Sequence, residues 1–320
     1  MLVLYVVWGS TYLAISVAVD SIPPFLMAGA RFLTAGLALL AWSIAREGRA
    51  FRWPTTREWR DTTIVGALLL GGGMGMVAVG EQTVPSGITA LFIALMPVWV
   101  AILGRIFLGQ RLPRLAVAGI ILGFGGVAIL IGPSAFGDSG ALEPLGLAAI
   151  LFSPIAWSSG SLFASHRAVL PKRPLVATGA QMVAGGLVLL GMSVLSGELG
   201  GFRVEAITTD SWLALGYLTV VGSLLAFTAY GWLLRVAPLP LIATYAYVNP
   251  VVAVILGAII LNETIAPRTV VAGGIIIAAV AIIVTARGRM QGPRGRTASR
   301  LGEADEAGGG PPVAAPARTN

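Results

Sequence analysis

The chain has 320 residues, 56% of them hydrophobic and 11% charged, with a mean hydropathy of +0.87 and a formal net charge of +7. Such a composition excludes an ordinary soluble domain and assigns the chain to the lipid bilayer, where about 20 helical residues cross a hydrocarbon core about 30 Å thick. With no cysteine and one histidine, it also excludes disulfide frameworks, thiolate metal sites and cysteine nucleophiles, and its basic residues fall in loops and the tail without a basic aromatic platform for nucleic acid.

Apolar runs bounded by charge, Pro or Gly predict ten spans, at 2–19, 25–45, 61–80, 87–108, 114–132, 144–164, 174–195, 211–233, 239–261 and 268–286. The first starts without a charged leader region or a small-residue cleavage site and reads as a retained span. It carries Trp8 well inside, followed by Ser10 and Thr11, and ends at Asp20. The second holds Arg31, a charge placed inside a span and therefore either a recognition group for a carboxylate or a snorkelling structural residue. The third contains "LLLGGGMGM", including Met74, and ends at Glu81. These glycines follow no strand and match no phosphate loop, so they read as close helix packing.

The fourth span places Pro97 near its middle, beside Phe92 and Met96, and the ninth places Pro250 beside Tyr245 and Asn249. Each proline removes a helical hydrogen bond, so both are expected hinges whose freed carbonyls face a cavity or a neighbouring helix. If both faces look into a cavity, Tyr245 and Asn249, one turn apart, give one wall an aromatic and polar character and Phe92 with Met96 make the matching wall apolar; the alternative is that Asn249 only bonds across helices. The sixth span carries Trp157 with Ser158, Ser159 and Ser161, and reaches His166, which reads as a solvated residue. The seventh and eighth contribute Gln181 and Tyr230. Acidic residues gather at outer span ends, so any ion coupling is expected at Asp20 or Glu81, on the rim of a cavity.

Lys and Arg accumulate on one side of this ten-span layout, at Arg46 to Arg60, Arg105 to Arg114, Arg167 to Arg173, Arg235 and the tail, against Arg203 and Arg268 on the other. Both termini are therefore expected in the cytoplasm. Pro97 and Pro250 differ by 153 positions, and at the same offset Gly104 meets Gly257, Leu108 meets Leu261, Gln110 meets Glu263 and Pro85 meets Pro238. With small shifts Trp8 meets Trp157, Gly29 meets Gly179 and Gly36 meets Gly186. One five-helix unit is used twice, and an odd number of spans inverts the second copy, the architecture of secondary transporters with a midplane site between halves.

The motifs "WGSTYLAI", "PPFLMAGARFLTAG", "PSGITALFIALMPVWVAILGRIFLGQRL" and "NPVVAVILGAIILNE", in this order and duplicated, resemble the EamA-type permeases of the drug/metabolite transporter superfamily over residues 1–286. The resemblance implies an all-α membrane protein with ten helices around a central cavity, exporting amino acids, drugs or related metabolites across the inner membrane. Gln110 departs from the glutamate usual there. The resulting expectations are a first repeat at 1–133, a second at 144–286 and a disordered cytoplasmic tail at 287–320. The substrate-binding set comprises Trp8, Ser10, Thr11, Arg31, Met74, Phe92, Met96, Trp157, Ser161, Gln181, Tyr230, Tyr245 and Asn249. No metal, cofactor, catalytic residue or nucleic-acid partner is expected. The expected partners are a small-molecule substrate and the lipid bilayer, with a homodimer left open. A non-transporting scaffold or sensor of the same fold is the alternative.

Overall fold

The computed structural model describes residues 1–110, 112–131, 143–226, 229, 233 and 245–290, and the regular structure among them is helical throughout. Tyr230 and residues 291–320 lie outside the described residues. Helix α1 is Leu2–Val19 and α2 is Pro24–Glu47. Helix α3 runs from Thr56 to Gly80, with a π-helical stretch at Ala67–Gly75. Helix α4 has two pieces, Ser86–Ile93 and Met96–Leu108. Then come α5 (Arg114–Ile131), α6 (Pro144–His166) and α7 (Pro174–Leu195). Helix α8 is described over Thr209–Tyr217 and a π-helical Leu218–Leu225, α9 over Tyr245–Ile260, and α10 is Pro267–Met290. Eight of these are long and apolar enough to cross a membrane.

Local chemistry sets the boundaries. Proline occupies the first turn of α2, α6 and α7, where its missing N–H costs nothing. Helix α3 starts five residues before its apolar run because Thr55 and Glu58 form a reciprocal capping box. Helix α10 continues four residues beyond 286, where a tail was expected to begin. Helix α4 breaks: Leu95 N–H donates to Phe92 O, and Pro97 falls in the first turn of the second piece. Helix α9 instead passes through Pro250 without interruption. The paired prolines therefore have unlike consequences, a break in the first half and a continuous helix in the second.

Duplicated sequence produces duplicated structure. Helices α4 and α9 end alike, with Gly109 and Asn262 in left-handed conformations at φ 63° and 54°, and with Gln110 N–H and Glu263 N–H donating to Gly104 O and Gly257 O. The π-helical stretches of α3 and α8 begin at Ala67 and Leu218, 151 positions apart.

Packing joins the halves through small residues. Helices α2 and α7 run antiparallel, with Gly36 against the backbone of Gly179 and Val183, Gly186 against Leu33 and Gly29 against Leu190. Helices α5 and α10 approach similarly, Gly119 meeting Ile283 and Ala279 while Gly126 meets Ile276. Without a hydrophobic drive between helices in lipid, such close backbone approach supplies the van der Waals contact. Matched contacts also tie α9 to α1 and α4 to α6: Gly9 lies against Asn249 O and Val252, and Ser158 Oγ donates to Met96 O at 3.2 Å.

Candidate functional site

The halves meet along α1, α2 and α8 on one side, and α3, α6 and α7 on the other. Trp8 packs edge-on against Tyr245, ring centroids 5.0 Å apart. Two residues on, Ser10 Oγ donates to Val7 O at 2.9 Å and lies 2.6 Å from Tyr217 OH, while buried Thr11 donates to Trp8 O. Hydroxyls early in the span thus satisfy the local backbone and reach α8 as well.

Arg31 does not snorkel. Its side chain is 3% exposed, its Nε donates to Ser223 Oγ at 2.9 Å, and its guanidinium lies 4.7 Å from the Phe32 ring centroid. Ser223 belongs to the π-helical stretch of α8, in the opposite half. Gly222 beside it leaves room: a Cβ there would sit 3.2 Å from Arg31 Nη2 and 3.1 Å from Thr11 Cγ2. The corresponding π-helical stretch of α3 packs on α6, where a Cβ on Gly73 would meet Trp157 Cε3 at 2.8 Å. Ser153 Oγ donates to Gly73 O at 3.0 Å. Widened helical turns, frequent at functional sites, thus occur at both places where one half receives the first helix of the other.

Trp157 and Gln181 come together around a cavity of about 40 Å³ between α3, α6 and α7, with Gly66, Leu70, Thr178 and Met182. Its volume suits a water or two rather than a metabolite. Met74 packs against the clusters built on α1 and α2, and Phe92 is buried in the cluster shared by α4, α5, α6 and α10. Met96 enters through its carbonyl, held by Ser158. Ser161 accepts from Ser165 Oγ at its carbonyl. Asn249 is 7% exposed, and with its amide nitrogen turned inward it donates to Tyr5 O at 3.3 Å and Tyr245 O at 3.2 Å, linking α9 to α1. Phe92 and Asn249 are thus engaged in helix packing, one in a core cluster and the other in a link between α9 and α1.

Carboxylates occupy helix ends. Glu263 accepts from Ser86 N–H (2.8 Å), Ser86 Oγ (2.7 Å) and Gly87 N–H (3.2 Å), closing the start of α4 from the end of α9. Glu198, after α7, accepts from Phe25 and Leu26 N–H at the start of α2. Its counterpart Glu47 pairs with Arg173 at the start of α7. Asp61 accepts from Val169 N–H at 2.8 Å and pairs with Arg60. Glu263, Glu198 and Glu47 each meet the unsatisfied N–H groups, or the cation, at a helix start, whereas Asp61 holds the loop that follows α6. His166 is exposed at the end of α6, 3.1 Å from Leu162 O.

Asp20 is exposed in a surface cleft of about 450 Å³ with Pro23, Phe25, Val79, Gln82 and Glu198. Glu81 differs from the rim position expected of it: the turn ending α3 folds inward and leaves it 4% exposed. Asp61, Glu198, Tyr217 and Ser223 escape a hydropathy-based reading because their partners lie 108 to 207 residues away. An isolated hydroxyl or acid at the edge of an apolar run is the signal they leave in sequence.

Comparison with known proteins supplies the remaining information. Residues 1–132 and 144–285 each match the model of the EamA-like transporter family. YedA of Escherichia coli strain K12, described as an uncharacterized inner membrane transporter, is 39% identical over 282 residues, covering 88% of each chain. A protein of Salmonella typhimurium described as a probable amino-acid metabolite efflux pump is 29% identical over 299 residues, covering 87% of this chain and 91% of that one. A solved crystal structure shares the fold with a TM-score of 0.61 at 19% identity, covering 90% of this chain and 96% of the other.

Proposed function

Since this chain belongs to the EamA-like transporter family, a multi-pass inner membrane transporter built from two inverted five-helix repeats, we propose that it exports small metabolites by alternating access, with both termini in the cytoplasm. Amino acids and amphipathic drug-like compounds are the substrate classes that suit it. Arg31 offers a fixed cation to a carboxylate, Trp8, Tyr245 and Trp157 offer aromatic faces, and Gln181 with the hydroxyls offers neutral hydrogen bonds. The prolines and the break in α4 give the halves places to bend. A similar protein's description as an amino-acid metabolite efflux pump supports the substrate class.

One observation carries this reading: a guanidinium 3% exposed inside a span, whose Nε is anchored to Ser223 of the other half. A buried cation is expensive at membrane depth, by about 2.5–3.5 kcal/mol on insertion scales, and is retained where it has work at a pathway. Counterflow in proteoliposomes with pooled amino acids and metabolites tests it. Arg31→Gln, which copies Gln181 of the second repeat, is expected to weaken acids by about 10- to 100-fold, from the 1.5–3 kcal/mol of a charged hydrogen bond, with smaller effects on neutral analogues. Equal loss for acids and neutral analogues, or loss of the protein from the membrane, makes Arg31 structural. No counterflow by the unaltered protein in any pool returns the chain to the scaffold reading.

A further inference from the structure

Among the described residues, Glu81 is the carboxylate with both oxygens buried and without a hydrogen-bond partner. It follows directly on α3, is 4% exposed, and neither carboxylate oxygen has a hydrogen-bond partner. The two ion pairs among the described residues are Arg60–Asp61 and Arg173–Glu47, so Glu81 has no paired cation either. A bare carboxylate in such a place is penalised far more heavily by desolvation than the neutral acid.

Its surroundings sharpen the point. Val77 and Ala78, just before it, belong to an apolar cluster with Ala14, Ala18, Ile22 and Met27. From α1, Tyr12 lies within electrostatic range and the backbone at Ser16 faces it without satisfying either oxygen. From α2 comes Arg31, within range but committed through Nε to Ser223. Beyond α9, Glu263 adds a like charge while holding the start of α4. Helix α6 brings Glu143, engaged with its own helix start at Gly146 N–H. Hard cations require a shell of several oxygen ligands, and no cluster of metal-ligating side chains occurs among the described residues. The chemistry therefore suits a proton.

A surface cleft reaches its neighbours in the chain. The cleft is lined by Val79, two residues before Glu81, and by Gln82, the residue after it, and Asp20 stands exposed within it. The two acids singled out in the sequence thus separate into a solvated collector and a buried acceptor.

We infer that Glu81 is the proton-carrying residue of the transport cycle, a role that rests on the transport reading above. In the compact conformation it is the neutral acid. When the halves separate and water enters, the O–H bond breaks, the proton passes to that water, and the carboxylate left behind is stabilised by solvent and by Arg31. Returning to the compact conformation requires a proton to be taken up again. The substrate-free protein passes through this compact conformation and so carries the proton inward, whereas the loaded protein, kept hydrated by its substrate with Glu81 ionised, carries none outward; one proton therefore enters for each substrate exported.

Two measurements test this. Infrared difference spectra of the purified protein at neutral pH are expected to show the carbonyl band of a neutral carboxylic acid that is missing from Glu81→Gln and retained in Glu81→Asp. In proteoliposomes with pooled labelled L-amino acids, net flux is expected to respond to an imposed pH gradient, each pH unit supporting about a tenfold concentration ratio for a one-proton exchange. Glu81→Gln is expected to keep substrate counterflow and lose the gradient response, and Glu81→Asp to retain part of that response. Counterflow with gradient-independent net flux in the unaltered protein, or a full gradient response in Glu81→Gln, overturns the inference and leaves the transport reading standing. So does loss of counterflow in Glu81→Gln at an unchanged melting temperature, which would make Glu81 a substrate ligand. Absence of all counterflow sinks the transport reading itself, and the infrared band then decides alone whether Glu81 holds a proton.

Discussion

Replacing Gly36 by alanine tests whether the halves are joined as tightly as the packing of α2 on α7 implies. A Cβ at this position would lie 2.7 Å from Val183 N, 2.8 Å from Gly179 O and 2.8 Å from Met182 Cβ. Ordinary contact begins at 3.4 Å, so the new methyl is too close by about 0.7 Å, and two of the three obstructing atoms are backbone that no rotamer change can move. The helices must separate locally, at an overpacking cost of about 1–3 kcal/mol, despite alanine's better helix propensity. Gly191→Ala, on α7, is the matched control: a Cβ there meets nothing within 4 Å, so the change should be neutral or stabilise by up to about 1 kcal/mol. Thermal unfolding of both variants in detergent, followed by tryptophan fluorescence, should move the two midpoints apart. Equal midpoints, or a Gly191→Ala variant as damaged as Gly36→Ala, would refute the close backbone approach.

Glu263→Gln should weaken the closure of α4 by about 1–2 kcal/mol, because it removes the charge that faces three donors at the start of that helix. Faster hydrogen exchange at the Ser86 and Gly87 amides would report the loosening, and unchanged exchange would deny it. Asn249→Met should cost about 0.5–1.5 kcal/mol of stability by losing the link from α9 to Tyr5 O. Thermal unfolding and substrate affinity together check it, since weaker affinity at unchanged stability would place the amide in the substrate site instead.

Much of this architecture is legible in the residues alone. Apolar length fixes the spans because a helix must satisfy its own backbone across the bilayer. Hence the predictions at 2–19 and 174–195 coincide with α1 and α7. The duplication of Pro97, Gly104 and Leu108 at 250, 257 and 261 specifies two inverted halves, since five crossings reverse the direction of the second copy. Even the matched helix ends at Gly109 and Asn262 follow from that repeat.

Tertiary structure alone decides what those residues do. Hydropathy treats a position by its neighbours in sequence, whereas Arg31 is defined by Ser223, 192 residues away, and Asp61 by Val169, 108 residues away. Pro97 and Pro250 look equivalent in the chain, yet one breaks its helix and the other does not. Glu81 and Asp20 both terminate apolar runs, and only the packing of α1, α2 and α3 buries the first while leaving the second in water. Burial depends on the surfaces that close over a side chain, and those surfaces are assembled from segments that sequence order keeps far apart.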